Sequence, residues 1–253
     1  MYPVLFHLGS FTVTSYTALL DIGLLCGAVM VYLAARRREL DPVPVLDAAL
    51  VAALGGLIGA RAVYVAANWA YYGNHVRQAL RLWDGGLAWH GALVGALVAV
   101  LVACAVRRTS SRLALDVLTP GAAVLAVWAW LGCLLTGCAY GLDIYPGQGL
   151  LWTLSLELPD LYGLWAPRVA VQLLGAGWGA VALAAVVVAG RDARFEGLVF
   201  PLWLTLYAVG SCGLGFVRAD QVPLVAGWRA DQVADLALTL IGAAMFMVGL
   251  FRK

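Results

Sequence analysis

Seven long runs of apolar residues divide this chain and limit what it can fold into. The hydrocarbon core of a bilayer is about 30 Å thick, so a helix that crosses it needs about 20 consecutive apolar residues. Because backbone polar groups find no water inside lipid, such runs must form helices. We therefore predict an all-α integral membrane protein, a bundle of seven transmembrane helices at 14–35, 46–70, 87–106, 113–138, 168–190, 197–217 and 231–251.

The composition agrees with a chain that lies mostly in lipid. Hydrophobic residues make up 63% of its 253 positions, charged residues make up 12%, and the mean hydropathy is +0.90. A soluble domain is nearer half apolar and a quarter charged. We predict one polytopic membrane domain over residues 1–253, with an outer extramembrane segment at about 140–167 that carries one short helix. No basic stretch interleaved with aromatic residues occurs, so nucleic acid is excluded as a partner.

Basic residues cluster after every second apolar run. Ten of the 16 Lys and Arg residues follow the first, third, fifth or seventh run: Arg36, Arg37, Arg38, Arg107, Arg108, Arg112, Arg191, Arg194, Arg252 and Lys253. The positive-inside rule makes these loops cytoplasmic. We therefore predict that the N-terminus lies outside the membrane and that the C-terminus is cytoplasmic.

Polar side chains inside the apolar runs are costly in lipid and therefore point to function. Arg61 and Tyr64 lie in the second run, three residues apart, and Arg168 and Gln172 begin the fifth run one helical turn apart. A neutral imidazole is a general base near pH 7 and arginine binds phosphate through its planar fork, so this set suits a lipid head group. The alternative is that the groups pair with one another and hold the helices together. Those in the outer half of the predicted bundle are His90, Arg168, Gln172, Arg218 and Gln232.

The cysteines show no spacing that indicates a metal site, and no motif indicates a cofactor. Most lie in apolar surroundings, where a free thiol behaves as a small hydrophobic side chain. The tetrad LTGC at 135–138 is similar to a lipobox, but a true lipobox ends a signal peptide, so we reject that interpretation. We predict structural thiols at Cys26, Cys104, Cys133, Cys138 and Cys212.

Motifs spread over nearly the whole chain resemble, in order, those of the bacterial prolipoprotein diacylglyceryl transferases. The most specific is WDGGLAWHGALVG at 83–95, which is similar to the family's W-D-G-G motif and keeps its histidine as His90. GARAVYV at 59–65 is similar to G-G-R-x-x-Y-V, and LGCLLTGCAYG at 131–141 is similar to L-G-C-F-x-x-G-C-C-Y-G. Further matches are Tyr16, Arg168, Gln172, Arg218, Asp220 and the stretch GWRADQVADL at 227–236.

The resemblance implies a reaction, its partners and a set of site residues. Family members transfer the sn-1,2-diacylglyceryl group of phosphatidylglycerol to the lipobox cysteine of a prolipoprotein, and glycerol 1-phosphate leaves. It implies phosphatidylglycerol and a prolipoprotein signal peptide as partners, no cofactor, and a place in the bacterial plasma membrane. His90 and Tyr16 would be catalytic, with His90 near the cysteine thiol. The lipid would be held by Arg61, Tyr64, Gly141, Arg168, Gln172, Arg218 and Gln232.

The chain departs from the family pattern at four charged positions. The signature arginine is Trp130, and the arginine of a later Y-G-x-x-R motif is Ser211. Two acidic positions of the family are occupied by Gly175 and Gly215. Losing a donor aimed at transition-state charge typically costs about 10²–10³ in rate. A second hypothesis is therefore a catalytically degenerate member of the fold that acts as a structural or lipid-binding subunit of a larger membrane complex.

Overall fold

The computed structural model describes residues 4–8, 11–82 and 85–252 and shows an all-α membrane protein with short strands at the ends of its helices. A shorter apolar helix, α9 (Val199–Leu214), has 16 residues and is about 24 Å long. Among the described residues, six helices are long and apolar enough to cross a membrane: α1 (Ser15–Arg37), α2 (Pro42–Ala67), α5 (Trp89–Arg107), α6 (Ser111–Thr136), α8 (Val171–Ala189) and α10 (Ala230–Phe251).

Local signals explain several helix ends. The side chain of Asp41 accepts a hydrogen bond from the Val43 N–H, and Pro42 opens α2, the position where a missing N–H costs nothing. At the C-terminal end of α5, Arg108 adopts a left-handed conformation with φ of 52° and closes the helix. The span predicted at 197–217 is shorter than expected, because α9 ends at Leu214 and the following backbone pairs elsewhere.

Short elements lie between the helices, and sequence analysis predicted only one of them. The predicted short helix within 140–167 is α7 (Leu150–Thr153), but the same segment also holds most of a β-hairpin formed by β3 (Ser155–Pro159) and β4 (Trp165–Val169). The two strands pair antiparallel, with Leu156 opposite Arg168, and the loop at 160–164 joins them. The short elements are α3 (Trp69–Tyr72), α4 (Val76–Ala79), α7 (Leu150–Thr153), β1 (Val4–Leu8), β2 (Phe11–Thr14), β3 (Ser155–Pro159), β4 (Trp165–Val169), β5 (Leu224–Val225) and β6 (Trp228–Arg229).

The chain forms two compact units. The middle unit is Val31–Leu118, and the flanking unit is Met1–Met30 with Thr119–Lys253. In the middle unit α2 packs closely against α5 through glycines, since a Cβ on Gly95 would collide with the Gly55 carbonyl oxygen. A buried apolar cluster lies in the same unit, as does an ion pair between Arg38 and Asp116, with 3.8 Å between Nη1 and Oδ2.

In the flanking unit, segments that lie between the helices pair side by side next to the start of α8. Strand β4 lies between β3 and the stretch 142–144. The adjoining residues 140–142 pair in turn with 217–219. The core beneath contains Trp130, Ile144, Val169, Val171 and Ala176. The cross-segment bonds are Ile144 N–H to Pro167 O (2.8 Å), Val169 N–H to Leu142 O (3.0 Å), Leu142 N–H to Val217 O (2.9 Å) and Ala219 N–H to Tyr140 O (2.9 Å).

Candidate functional site

Arg61 lies near the end of α2 and holds the chain segment that follows that helix. The residue is 5% exposed, and its guanidinium carbon lies 5.9 Å and 5.3 Å from the ring centres of Tyr64 and Tyr72. The Nε donates to Ala79 O at 2.8 Å and the Nη2 donates to Gln78 O at 2.7 Å. Arg61 thus joins Tyr64, as predicted, but its donors are directed to backbone carbonyls, those of Gln78, Ala79, Gly85 and Gly86.

His90 is the second residue of α5 and lies half-buried in the middle unit. Its ring centre is 4.1 Å from that of Trp89, with the two planes tilted by 36°. Gly86, just before α5, has φ of 73°, and a Cβ there would collide with the Tyr64 ring, so only glycine lets the backbone approach so closely. Trp83 and Asp84 of the same motif lie outside the described residues.

Arg168 lies on strand β4, so the prediction that it shares a helix face with Gln172 is wrong. The cause is that the backbone of 165–169 bonds to β3 and to the stretch 142–144, which leaves the helix to begin at Val171. The Nη1 of Arg168 is 2.6 Å from Asp143 Oδ1, and the Nη2 is 3.3 Å from Asp160 Oδ2. Two carboxylates therefore neutralise this arginine.

Gln172 and Tyr140 lie beside this arginine. Gln172 is fully buried in the first turn of α8, and its Nε2 donates to Cys138 O at 3.0 Å. The Tyr140 ring centre is 5.1 Å from the guanidinium carbon of Arg168. Burial raises the pKa of Tyr140, and the nearby Asp160 carboxylate raises that pKa further, so the phenol keeps its proton at neutral pH.

Gly141 and Arg218 meet where these interhelical segments pair, and they lie opposite each other in an antiparallel bridge. A Cβ on Gly141 would collide with the Val169 carbonyl oxygen, so this glycine permits a close backbone approach. The structure thus brings together three of the predicted lipid-binding residues, Gly141, Arg168 and Arg218, through one run of paired segments.

Arg218 also belongs to a closed cluster of two arginines and two aspartates. Its Nη2 is 2.6 Å from Asp220 Oδ2 and its Nη1 is 3.2 Å from Asp231 Oδ2. Arg229 Nη2 lies 3.1 Å from Asp220 Oδ1 and 3.0 Å from Asp231 Oδ2. The cluster carries equal positive and negative charge. It ties the chain after α9 to the start of α10.

Where the chain departs from the family motifs, neighbouring uncharged side chains occupy the space beside the substituted residues. A Cβ on Gly175 would collide with the indole of Trp130, which is 8% exposed. A Cβ on Gly215 would collide with the side chain of Gln232, whose Nε2 donates to Cys212 O at 3.2 Å.

Tyr16 lies in the first turn of α1, against the backbone of Gly132, where an added Cβ would be 2.8 Å from its ring.

The prediction of five free thiols is wrong at two positions. Cys133 and Cys138 form a disulfide with 4.6 Å between their Cα atoms, while Cys26, Cys104 and Cys212 are free. Gly137, with φ of 77°, turns the chain back at the end of α6 and brings the two sulfur atoms together. The apolar surroundings had suggested free thiols. The sequence signal for the disulfide was the short separation of Cys133 and Cys138 along the chain, with a glycine turn between them.

The carboxylates that neutralise the arginines were not among the predicted site residues. An Arg-x-Asp spacing occurs twice, at 218–220 and 229–231, and would have predicted two of the pairs. No sequence signal connects Arg168 with its two carboxylates, since the contacts depend on the fold of 140–169. The missed residues are Tyr140, Asp143, Asp160, Asp231 and, as a counter-ion, Asp220.

Comparisons with known proteins cover the chain from end to end. The family model of prolipoprotein diacylglyceryl transferase (LGT) matches residues 3–248. The phosphatidylglycerol–prolipoprotein diacylglyceryl transferase of Clostridium tetani is 25% identical over 254 residues, 100% of each chain. That of Geobacillus kaustophilus is 28% identical over 97% of this chain and 91% of its own. The protein of the same name from Lactobacillus johnsonii is 36% identical over 129 residues, 50% of this chain and 46% of its own.

Proposed function

The chain belongs to the prolipoprotein diacylglyceryl transferase family, and from that premise we propose that it transfers a diacylglyceryl group from phosphatidylglycerol to the cysteine of a lipobox. It is a divergent member, since its full-length relatives are 25–28% identical. It is a multi-pass membrane protein of a family that sits in the bacterial plasma membrane. The family implies phosphatidylglycerol and a prolipoprotein as substrates. The observation that carries the proposal is the full-length family match, with His90 kept in its motif.

In the proposed reaction the lipobox cysteine sulfur attacks the C3 carbon of the diacylglyceryl group, the carbon whose oxygen is bonded to the phosphate. A C–S bond forms, the C–O bond breaks, and glycerol 1-phosphate leaves with the electron pair. His90 takes the thiol proton, because a neutral imidazole is a base near pH 7. His90 and Tyr16 are the proposed catalytic residues. The proposed lipid-binding residues are Arg61, Tyr64, Gly141, Arg168, Gln172, Arg218 and Gln232.

We propose seven membrane spans in one polytopic domain, with the N-terminus outside and the C-terminus in the cytoplasm. The six long helices and α9 support the count. The basic residues after α1, α5, α8 and α10 support the orientation. The Cys133–Cys138 disulfide, at the end of α6 that this orientation places outside, fits an oxidising compartment.

Complementation tests the reaction. Cells depleted of their own transferase would express the chain together with a lipobox reporter, and diacylglyceryl modification of the reporter would be measured by mass spectrometry. We expect modification by the wild type and a loss of at least about 10²-fold in His90→Ala, the scale of general-base catalysis. His75→Ala is the matched control, because His75 is an exposed histidine stacked on Tyr71. No modification by a stably inserted wild-type chain would contradict the proposal.

A specific observation favours a second candidate, a catalytically degenerate lipid-binding or structural subunit. Trp130 packs on Gly175, and Gln232 packs on Gly215. Uncharged side chains therefore pack together where the family motifs have charged residues. The arginines that would substitute for the lost ones are already paired, Arg168 with two aspartates and Arg218 with two more. This candidate predicts an inserted chain that does not modify the reporter and that co-purifies with other membrane subunits.

A further inference from the structure

The turn between β3 and β4 exposes large apolar side chains at its tip. Residues 161–165 (the 161–165 turn) contain one glycine and four large side chains, each between 60% and 74% exposed. These are Leu161, Tyr162, Leu164 and Trp165. Turns that face water are dominated by Gly, Pro, Asn, Asp and Ser. Leucine and aromatic side chains at such a tip therefore indicate that something apolar covers it.

The backbone of the turn bonds to itself. Oδ1 of Asp160 accepts hydrogen bonds from the N–H groups of Tyr162 and Leu164, at 2.8 Å and 3.0 Å. The N–H of Gly163 donates to Asp160 O, and the N–H of Asp160 donates to Leu164 O. A backbone that leaves water must have its polar groups bonded within the protein. The turn meets that condition at three consecutive N–H groups, those of residues 162–164.

The turn exposes no charged side chain. Residues 161–165 contain no Lys, Arg, His, Asp or Glu. Asp160, at the base of the turn, is buried, and its Oδ2 is 3.3 Å from Nη2 of Arg168. Charged side chains are the groups that resist entry into lipid most strongly. The exposed surface of the turn is therefore apolar apart from the phenol of Tyr162 and the indole N–H of Trp165.

The base of the turn lies against the end of α6. A Cβ on Gly137, the residue that follows this helix, would be 2.6 Å from Asp160 O. On the other side, β4 leads from Trp165 to α8, which begins at Val171. Both α6 and α8 are long and apolar enough to cross a membrane. The stretch from Trp165 to Val171 reaches at most about 20 Å, so the turn stays close to a bilayer surface.

We propose that the 161–165 turn inserts into the membrane at the boundary between the head groups and the acyl chains. Leu161 and Leu164 contact acyl chains, and the rings of Tyr162 and Trp165 lie at the level of the head groups, where such rings are enriched. A protein partner is the alternative occupant of an exposed apolar surface. Protein interfaces carry direct hydrogen bonds as well as apolar contacts. The turn uses its backbone N–H groups internally, which favours lipid.

Insertion would hold the hairpin that carries Arg168 at the membrane surface. It requires only that α6 and α8 cross the membrane. It depends neither on the transfer reaction nor on which end of the chain is cytoplasmic, so its test needs no measurement of activity.

Site-directed fluorescence tests the insertion in the full chain. The free cysteines Cys26, Cys104 and Cys212 are replaced by alanine, and the disulfide is kept. Tyr162→Cys is then labelled with the environment-sensitive fluorophore NBD, and the protein is placed in phosphatidylcholine nanodiscs. Quenching by doxyl groups on the lipid acyl chains is compared with quenching by iodide in the water. We expect the probe at residue 162 to be quenched strongly by doxyl lipid and weakly by iodide.

Glu157→Cys, labelled in the same way, is the matched control, because Glu157 is an exposed charged residue of the same hairpin. Tyr162 is exposed as well, so neither substitution disturbs packing. The ratio of doxyl quenching to iodide quenching should be severalfold higher at residue 162 than at residue 157. Iodide quenching as strong at residue 162 as at residue 157 would overturn the proposal and leave the turn to a protein partner.

Discussion

Glycine and arginine residues decide how closely the segments of the middle unit approach one another. Gly59 and Gly91 let the backbones of α2 and α5 touch, since a Cβ on either would collide with the carbonyl oxygen of the other. Arg61 then anchors the segment after α2 through backbone carbonyls, a role that needs several donors in a rigid plane. In a membrane, close packing of this kind supplies stabilisation that the hydrophobic effect supplies in water.

Replacing Gly95 by alanine should destabilise the chain, because the new methyl group would collide with the Gly55 carbonyl oxygen. We expect a loss of about 1–3 kcal/mol, the usual cost of overpacking. The measurement is thermal unfolding in detergent. Gly177→Ala is the matched control, since Gly177 is an exposed helical glycine with nothing within 4 Å of an added Cβ. Equal stability of the two variants would contradict this account of helix packing.

Replacing Arg61 by lysine should loosen the segment after α2, although the charge is kept. A lysine ammonium cannot reproduce the planar set of donors that reaches several carbonyls at once. We expect a loss of about 2 kcal/mol and faster proteolysis between residues 69 and 88. Arg81→Lys should change neither quantity, because Arg81 is exposed in the same segment. Unchanged proteolysis of Arg61→Lys would show that the carbonyl contacts do not hold the segment.

The segments between α6 and α8 form a compact element of their own. A disulfide closes the end of α6, and β3 pairs with β4. Asp160 organises the turn between the strands, because its Oδ1 accepts from the N–H groups of Tyr162 and Leu164. Its second oxygen pairs with Arg168, so the turn and the candidate lipid-binding residues are one connected structure.

The disulfide predicts the number of reactive thiols. The denatured chain should react with maleimide at three cysteines, Cys26, Cys104 and Cys212, and at five after reduction. In Cys133→Ser the count without reductant should rise to four, because Cys138 loses its partner. Intact mass spectrometry of the adducts gives both counts. Five adducts without reductant would mean that the bond does not form.

The distribution of charge along the whole chain is the basis of the orientation that we propose for it in the membrane. Basic residues follow α1, α5, α8 and α10, whereas the segment 141–167 contains Asp143, Glu157 and Asp160 and no Lys or Arg. The aromatic residues Tyr145, Trp152, Tyr162 and Trp165 are exposed in that same segment, as is typical of residues at the headgroup level.

Reporter fusions test the proposed topology. Alkaline phosphatase fused within 145–149 should be active, because that segment would lie outside, and phosphatase fused within 191–194 should be inactive. Green fluorescent protein at the C-terminus should fluoresce in the cytoplasm. The two phosphatase fusions control for each other, because they differ only in the side of the membrane they report. Phosphatase activity at 191–194 without activity at 145–149 would show that the orientation is the reverse of the one proposed.

Much of the membrane-embedded fold was predictable because each span is specified locally. The run predicted at 87–106 is α5 at Trp89–Arg107, and the motif at 83–95 places His90 in the first turn of that helix. The end of α9 was not predictable, because the residues after Leu214 leave the helix to bond with the stretch 140–142. That pairing joins positions about 75 residues apart, and no periodicity in a single sequence indicates it.

The sequence by itself determined the helical membrane class, the approximate spans and the family, because the cost of polar groups in lipid acts residue by residue and motifs are local. Only the tertiary structure decided what the polar residues contact. Arg61 bonds to backbone carbonyls, Arg168 is neutralised by Asp143 and Asp160, and Gln172 keeps a buried free acceptor among the described residues. Those contacts depend on which distant segments meet at the ends of the helices, and neither hydrophobicity nor spacing along the chain encodes that meeting.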